Sequence, residues 1–141
     1  MKNCNHIGNM SEAKILSALL DAGYIVLLPF GDGCRYDLAI EVEGGLLKRV
    51  QCKTAHINRH QNLCFEGKSS YQVKGQRHYH GQIDFFAVYS PETRKSYLIP
   101  IEVCGISDIT LKLHDSGTFS GANLWAKDFE ITPKPIEFFN T

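Results

Sequence analysis

Residues 35–54, RYDLAIEVEGGLLKRVQCKT, decide the fold of this chain. Two runs rich in Val, Ile and Leu flank Glu43-Gly44-Gly45, and this pattern is typical of a β-hairpin with glycine at positive-φ positions. A three-residue loop at Glu43–Gly45 predicts that Asp37 lies opposite Gln51. Because opposed residues share a face of a sheet, we expect one face of the hairpin to be charged and the other apolar.

The composition of these two faces follows from that register. The charged face comprises Arg35, Asp37, Ala39, Glu41, Leu47, Arg49, Gln51 and Lys53. The apolar face comprises Tyr36, Leu38, Ile40, Val42, Leu46, Lys48, Val50 and Cys52. The alternative interpretation is an ordinary solvent-exposed strand pair without a functional site, which would show the same pattern. A two-residue Gly44-Gly45 turn would instead place Asp37 opposite Cys52 and turn Gln51 away, because a one-residue slip exchanges the faces.

A helix is predicted from Met10 to Ala22, with an apolar stripe of Ile15, Leu16, Leu19 and Leu20. Ser11 is a candidate N-cap, and Gly23 is placed to end the helix. Glu12 precedes the stripe by one turn and projects from the same side. Burying an ionised carboxylate is costly without a partner, so a metal ion or Lys53 is the expected partner of Glu12. The alternative places Glu12 in the exposed first turn, where the helix dipole favours it.

Further apolar runs predict the rest of a sheet. Strands are predicted at Tyr24–Leu28, Ile83–Ser90, Ser96–Ile101 and Ile109–Leu113. The first is expected to be buried, and the second and third form a hairpin. Asp84, at the start of that hairpin, is interpreted as a capping or turn residue, with assistance to a site as the alternative. A terminal segment is predicted at Asn123–Phe129, and Trp125 is expected to anchor it.

The composition indicates one ordinary globular domain over residues 1–141. Hydrophobic residues make up 43% of the 141 residues, which is enough to bury a core. No apolar run is long enough to span a bilayer, and the start lacks the apolar region of a secretory signal. The five scattered cysteines suit reduced thiols. We therefore expect an intracellular, cytoplasmic protein with no membrane partner.

Charge is distributed unevenly along the chain. The net charge is zero, but residues 46–83 contain seven lysines and arginines against one glutamate, together with four of the six histidines. The segments 1–45 and 84–141 each have a net charge of −3. A basic middle between acidic ends can present a positive face to phosphate. The alternative is an ordinary solvated loop region.

Residues 55–82, the least regular part of the chain, are predicted to face nucleic acid. They combine cations, hydroxyls, amides and aromatic rings, which contact phosphates and base edges. The candidate contacts are Arg35, Lys68, Ser69, Ser70, Tyr71, Lys74, Arg77, His78 and His80. The same region permits a structural zinc site, from the spacing of His56, His60 and Cys64 and from that of His78 and His80, although no Cys-x-x-Cys pair accompanies it.

The order of Glu12 on a helix, Asp37 on a strand and Gln51-Cys52-Lys53 on the next strand resembles the PD-(D/E)XK nuclease superfamily. The sequence resembles in particular the small group I intron-encoded homing endonucleases of that superfamily, in which Gln occupies the acidic position. The resemblance extends from about residue 8 to about residue 130. The other segments that carry it are Leu28–Gly31, Ile83–Tyr89, Tyr97–Ile101 and Leu124–Phe129.

This resemblance implies an α/β fold with a restriction-endonuclease-like core, in which an N-terminal helix packs on a central mixed β-sheet. It implies a divalent cofactor, Mg²⁺ with Mn²⁺ as a substitute. Because Mg²⁺ prefers oxygen ligands, we assign Asp37, the side-chain carbonyl of Gln51 and the backbone carbonyl of Cys52 as ligands. By resemblance, Lys53 orients or deprotonates the attacking water, and Glu12 positions a water or holds Lys53.

Two departures from the superfamily pattern bear on activity. Tyr36 stands where the pattern has Pro, and this change is harmless. Gln51 replaces a carboxylate, which removes one negative charge and weakens the hold on metal. Glu12 restores that charge if it reaches the site from the helix.

The sequence therefore predicts a metal-dependent, sequence-specific endonuclease of double-stranded DNA, of the homing type. Cutting both strands needs two active sites, so at least a homodimer on a roughly palindromic target is expected. A Holliday-junction resolvase or a restriction nuclease would use the same residues. The alternatives outside this class are a DNA-binding module without catalysis and a zinc-dependent binding protein.

Overall fold

The structure, a computed structural model, describes residues 4–31, 33–73, 75–115 and 124–140. Helix α1 spans Cys4–Asp21. The strands that follow are β1 Ile25–Leu27, β2 Leu38–Val42, β3 Leu46–Thr54, β4 His56–Ile57, β5 Leu63–Phe65, β6 Lys68–Val73, β7 Gln76–His78, β8 Phe85–Ser90, β9 Lys95–Pro100 and β10 Ile109–Leu111. Short 3-10 helices lie at Glu43–Gly45, Ile101–Val103, Ala126–Asp128 and Ile136–Asn140. In these ranges no helix is both long and apolar enough to cross a membrane.

The central sheet has five strands in the order β1-β2-β3-β8-β9. Strands β3 and β8 are parallel, and the other neighbouring pairs are antiparallel. The sheet is therefore mixed, and the N-terminal helix packs on it, which confirms the predicted α/β fold. Strands β8 and β9 form the predicted second hairpin, in which Phe86 pairs with Ile99.

The hairpin of β2 and β3 has the predicted register. Leu38 pairs with Val50, and the connection at Glu43–Gly45 has three residues. Its two glycines have φ angles of 84° and 76°, in the left-handed region where other residues are strained. The ladder ends at the pair of Leu38 and Val50, and the backbone N–H of Asp37 donates to the carbonyl of Val50, so the opposition of Asp37 and Gln51 stays a prediction. The alternative two-residue turn is excluded, because the connection has three residues.

Helix α1 covers the apolar face of this hairpin. Ile15 and Leu19 of the helix are fully buried and belong to one core with Leu38, Ile40 and Val50 of the sheet. Burying each of these side chains contributes about 1.5–3 kcal/mol to folding. This packing fixes the helix over the two strands that carry the predicted site.

The helix begins earlier than the sequence indicates. It already includes Cys4, so the predicted start near Met10 with Ser11 as the cap is wrong. Ser11 is buried in the helix interior, where its hydroxyl and that of Thr54 share a hydrogen bond of 2.6 Å. Residues 5–10 are exposed, so these first turns continue the packed helix by propagation rather than through contacts of their own. The predicted end is confirmed, because Gly23 follows the helix with a φ of 91°.

A second layer covers the opposite face of the central sheet. Strands β10, β5 and β4 form a small antiparallel sheet in that order. Leu63 and Phe65 of this sheet share a core with Phe86 and Ile99 of the central sheet. The rings of Phe65 and Phe86 meet edge-on with centroids 5.3 Å apart. Strand β8 is therefore buried on both faces.

Two predictions drawn from patterns are wrong. The run Tyr24–Leu28 was expected to be buried, but β1 is an edge strand and its Ile25 is 60% exposed. The segment 55–82 is not irregular, since it contains β4, β5, β6 and β7. In the terminal segment, Trp125 is half-buried beside the 3-10 helix Ala126–Asp128, and Asn123 lies outside the described residues.

Candidate active site

Asp37 is held in place by the neighbouring strand. Its backbone N–H donates to the carbonyl of Val50 at 2.9 Å, and its Oδ2 accepts the backbone N–H of Cys52 at 2.8 Å. Burial raises the pKa of the Asp37 carboxyl, although the Cys52 N–H and the Lys53 ammonium oppose the rise. Within the described ranges Asp37 forms no ion pair. A half-buried carboxylate in this condition is stabilised by a bound cation.

Glu12 lies in the interior of α1 and is half-buried. Burial raises the pKa of Glu12, and the negative charge of Asp37 raises it further. The pKa of the Cys52 thiol is also raised, by burial first and then by the charges of Asp37 and Glu12. These effects place the two carboxylates near each other and near Cys52. The alternative that Glu12 occupies the first turn of the helix is wrong, because α1 already includes Cys4.

Lys53 and Gln51 lie on one face of β3, because alternate residues of a strand share a face, and the charge of Lys53 acts on Asp37. The Lys53 Nζ donates to the carbonyl of Lys68 at 3.3 Å and lies 5.0 Å from the centroid of the Tyr79 ring. The Gln51 amide donates to the backbone carbonyl of the next residue over a long 3.4 Å. The structure thus brings the strand-borne candidates together.

The chemistry of the candidate ligands fits a hard divalent cation. They are the carboxylates of Asp37 and Glu12, the side-chain amide of Gln51 and the backbone carbonyl of Cys52. Oxygen donors of this kind suit Mg²⁺, which needs only one or two protein carboxylates. In the part of the chain that the structure describes, no three His, Cys, Asp or Glu residues are grouped to hold a metal. The zinc alternative therefore has no support there.

The region predicted to contact DNA folds as a two-stranded ribbon of β6 and β7. Lys68 pairs with His78, and the Arg77 Nε donates to the carbonyl of Ser69 at 3.0 Å. Lys68 and Arg77 are exposed, whereas Ser69, His78 and His80 are half-buried. The predicted contacts that lie outside the described residues are Lys74 and the side chains of Ser70 and Tyr71.

Arg35, also predicted to contact DNA, joins the start of the hairpin to this ribbon. Its Nη2 donates to the carbonyls of Arg77 and His78 at 2.5 and 3.1 Å. Its guanidinium carbon lies 4.3 Å from the centroid of the Tyr79 ring. The DNA contact of Arg35 stays a prediction, while its contacts within the protein connect β7 to the loop before β2.

Asp84 has the capping role that the sequence favours. Its Oδ2 accepts the backbone N–H of Arg49 at 2.7 Å and the Arg49 Nε at 3.3 Å. Burial acts to raise the pKa of Asp84, but the two hydrogen bonds and the charge of Arg49 hold it below its ordinary value. Asp84 therefore ties the start of β8 to β3 and lies apart from the carboxylate pair.

Sequence reasoning missed Tyr79. This residue is 4% exposed, and two cations of the predicted site, Arg35 and Lys53, lie over its ring. No spacing in the sequence relates the three residues, since they belong to different elements. The only signal was a tyrosine inside a basic, histidine-rich segment.

The sequence profile of the PD-(D/E)XK endonuclease family matches residues 2–132. Because the match covers most of the chain, the protein belongs to this family and is a nuclease, as the resemblance of its motif implied. Among solved structures, the chain is similar to a bacterial homing endonuclease, I-Ssp6803I, with a TM-score of 0.70 and 23% sequence identity. That similarity covers 92% of this chain and 89% of the other, and it confirms the restriction-endonuclease-like fold. No curated protein matches the chain.

Proposed function

We propose that this nuclease is a metal-dependent, sequence-specific endonuclease of double-stranded DNA, of the homing type. One observation supports the proposal: Asp37 accepts the backbone N–H of Cys52, between Gln51 and Lys53 of β3, and the charges of Glu12 and Lys53 act on Asp37. Phosphodiester hydrolysis needs an activated water, neutralisation of charge on phosphorus and help for the leaving oxygen. The homing type is supported by the fold shared with a bacterial homing endonuclease.

The proposed cofactor is Mg²⁺, for which Mn²⁺ is expected to substitute. Asp37, the Gln51 side-chain carbonyl and the Cys52 backbone carbonyl would hold it. When bound, such an ion polarises a phosphoryl oxygen and lowers the pKa of a water molecule. Glu12 supplies from α1 the negative charge that Gln51 lacks. Both carboxylates must be ionised to bind the ion, so its affinity is expected to fall at acid pH.

The remaining roles belong to the cations of the chain. Lys53 orients or deprotonates the attacking water, and its charge stabilises the negative charge that develops on the phosphorus oxygens. A two-stranded β-ribbon has the width to enter a major groove, and exposed Lys68 and Arg77 lie on β6 and β7. The proposed DNA contacts are Arg35, Lys68, Ser69, Ser70, Tyr71, Lys74, Arg77, His78 and His80.

We further propose that two copies of this chain act together, because a double-strand break needs two active sites. A candidate contact between the two copies lies on one face of the sheet, which Ile25 and Leu27 of β1 share with Leu47 of β3. The exposed fractions of these three side chains are 60%, 39% and 55%, respectively. Ile25→Glu is expected to yield a monomer that nicks DNA without linearising it. Leu46→Glu, exposed on the other face, is the matched control and should stay dimeric by sedimentation equilibrium.

The proposal includes one endonuclease domain over residues 1–141, because both hydrophobic cores contain residues of β8. We also propose that the protein is cytoplasmic. The thiols of Cys34, Cys52, Cys64 and Cys104 form no disulfide, and cytosolic proteins keep their cysteines reduced.

The function is tested by digesting a random-sequence DNA library with the protein and Mg²⁺ and sequencing the new ends. The native chain is expected to cut at one defined sequence, and Lys53→Ala to bind the same DNA without cutting. Binding without cleavage by the native chain would contradict the proposal and favour a DNA-binding module, the second candidate, which Gln51 supports by removing a metal-binding charge. Cleavage of four-way junctions without sequence preference would favour a resolvase.

A further inference from the structure

The ring of Tyr79 is fixed at the boundary between the protein core and the candidate active site. Tyr79 is 4% exposed, and its ring meets that of Phe86 edge-on with centroids 5.4 Å apart. Phe86 is fully buried in strand β8, which is covered on both faces. The position of the Tyr79 ring is therefore set by the core rather than by solvent.

Two cations contact this ring, and each is also bonded to one strand of the ribbon. The Arg35 guanidinium lies 4.3 Å from the ring centroid, and the Lys53 ammonium lies 5.0 Å from it. Arg35 donates to carbonyls of β7, whereas the Lys53 Nζ donates to the carbonyl of Lys68 on β6 at 3.3 Å. The ring is thus the common neighbour of the ribbon and the candidate catalytic lysine.

A lysine side chain needs such contacts to be held in one place. Its four-carbon stem has many rotamers, and no carboxylate within the described ranges forms an ion pair with Lys53. The electron-rich face of an aromatic ring attracts an ammonium group. One carbonyl and one ring are therefore the contacts that hold the Lys53 Nζ in place, and its charge acts on Asp37.

We propose that Tyr79 is a positioning residue for Lys53 and that it couples the β6–β7 ribbon to the active site. This inference rests on the proposed function of Lys53, and it adds a regulation of that site. Movement of the ribbon on DNA changes the contacts of Arg35 and of the Lys68 carbonyl, and through them the placement of Lys53. Recognition of DNA and orientation of the catalytic ammonium then become one event.

The position of Lys53 is measured by NMR of the full chain with ¹³C at the Cε of lysine, without reference to cleavage. The Lys53 resonance, identified by its loss in Lys53→Arg, is expected at a ring-shifted upfield position with contacts to Tyr79 ring protons. Tyr79→Phe should keep the shift and Tyr79→Leu should abolish it. The Lys112 resonance, shifted by Trp125 instead, is the internal control and should not move.

A control variant separates loss of the ring from loss of packing. Phe65→Leu also removes a buried ring that meets Phe86, but no cation lies over Phe65 in the described ranges. It should lower the melting temperature as Tyr79→Leu does and leave the Lys53 resonance in place. An unshifted Lys53 in the native protein, or a shift that survives Tyr79→Leu, would overturn the inference. The native spectrum alone decides if Tyr79→Leu does not fold.

Cleavage kinetics give the second readout. Tyr79→Leu is expected to lower kcat about tenfold or more with little change in KM, because misplacement of a catalytic group costs rate rather than binding. Tyr79→Phe should restore kcat, and Tyr79→Leu should have no further effect in a Lys53→Ala background. Equal losses in both backgrounds would assign Tyr79 a purely structural role. A native chain that does not cleave would overturn the proposed function, while the NMR result would still decide the placement of Lys53.

Discussion

Asp37 and Asp84 flank the same strand, β3, and differ in what surrounds their carboxylates. Each accepts a backbone N–H of β3, from Cys52 at 2.8 Å and from Arg49 at 2.7 Å. Asp84 also forms an ion pair with Arg49, and its pKa is lowered. Asp37 has a second carboxylate nearby and no ion pair with a described residue, and burial raises its pKa. The charge of Asp84 is therefore balanced within the fold, whereas the charge of Asp37 is not balanced among the described residues and favours the binding of a cation.

The largest effect is expected from Asp37→Asn, which removes the proposed principal metal ligand. Cleavage should fall about a thousandfold, since a bound ion supplies several kcal/mol of transition-state stabilisation. The melting temperature should stay the same or rise. Because the folded state raises the pKa of Asp37, the ionised form disfavours folding above that pKa, and Asn removes this cost while still accepting the Cys52 N–H. Cleavage at the native rate, or loss of the fold, would contradict this.

Gln51→Glu sharpens the comparison by adding a carboxylate beside Asp37. The added negative charge is expected to lower the Mg²⁺ concentration for half-maximal cleavage by about tenfold, because ligand charge sets affinity for hard cations. The measurement is a Mg²⁺ titration of the cleavage rate. Gln61→Glu, at an exposed position between β4 and β5, is the matched control and should leave the titration unchanged.

Asp84→Asn tests the paired carboxylate. It should lower the free energy of unfolding by about 1–2 kcal/mol at neutral pH, because a charged acceptor of two hydrogen bonds is lost. The cleavage rate of the folded variant should be near native. Since the folded pKa of Asp84 is lowered, its stabilisation is present above the ordinary pKa near 3.8 and is lost as pH falls through the folded pKa. Denaturant unfolding of the two proteins should therefore converge at acid pH, and a constant difference would contradict the ion pair.

The smallest effect is expected from Ser11→Ala. This change removes the buried hydrogen bond that joins α1, the carrier of Glu12, to Thr54 at the end of β3. The free energy of unfolding should fall by about 1 kcal/mol, measured by denaturant unfolding. Ser17→Ala, exposed on the same helix, should change it by less than about 0.5 kcal/mol. Equal effects of the two changes would show that the hydroxyl pair contributes nothing.

The sequence predicted best where local chemistry decides the structure. Two adjacent glycines set the loop between β2 and β3, and the loop length fixes the register in which Leu38 pairs with Val50. The end of α1 at Gly23 has the same local origin. The family motif then assigned chemistry to the residues that this register brings together.

The features that the sequence did not predict depend on tertiary contacts. The first turns of α1 contain Gly8 and are exposed, and they are helical as a continuation of the later turns, which pack on the sheet. The apolar residues of β1 predict a buried strand. In the structure β1 is an edge strand, because it is the first strand in the order of the sheet. Tyr79 meets Lys53 because the ribbon folds back over the end of β3, which no periodicity encodes.

The central claim is that Asp37, Gln51, Cys52 and Glu12 together bind one divalent cation. The most direct test is titration of the ¹⁵N-labelled chain with Mn²⁺, whose paramagnetism broadens nearby amide resonances. The account predicts that broadening begins at the amides of Asp37, Cys52 and Lys53 and disappears in Asp37→Asn. Broadening that is absent, that persists in Asp37→Asn, or that begins around His56 and Cys64 would contradict it.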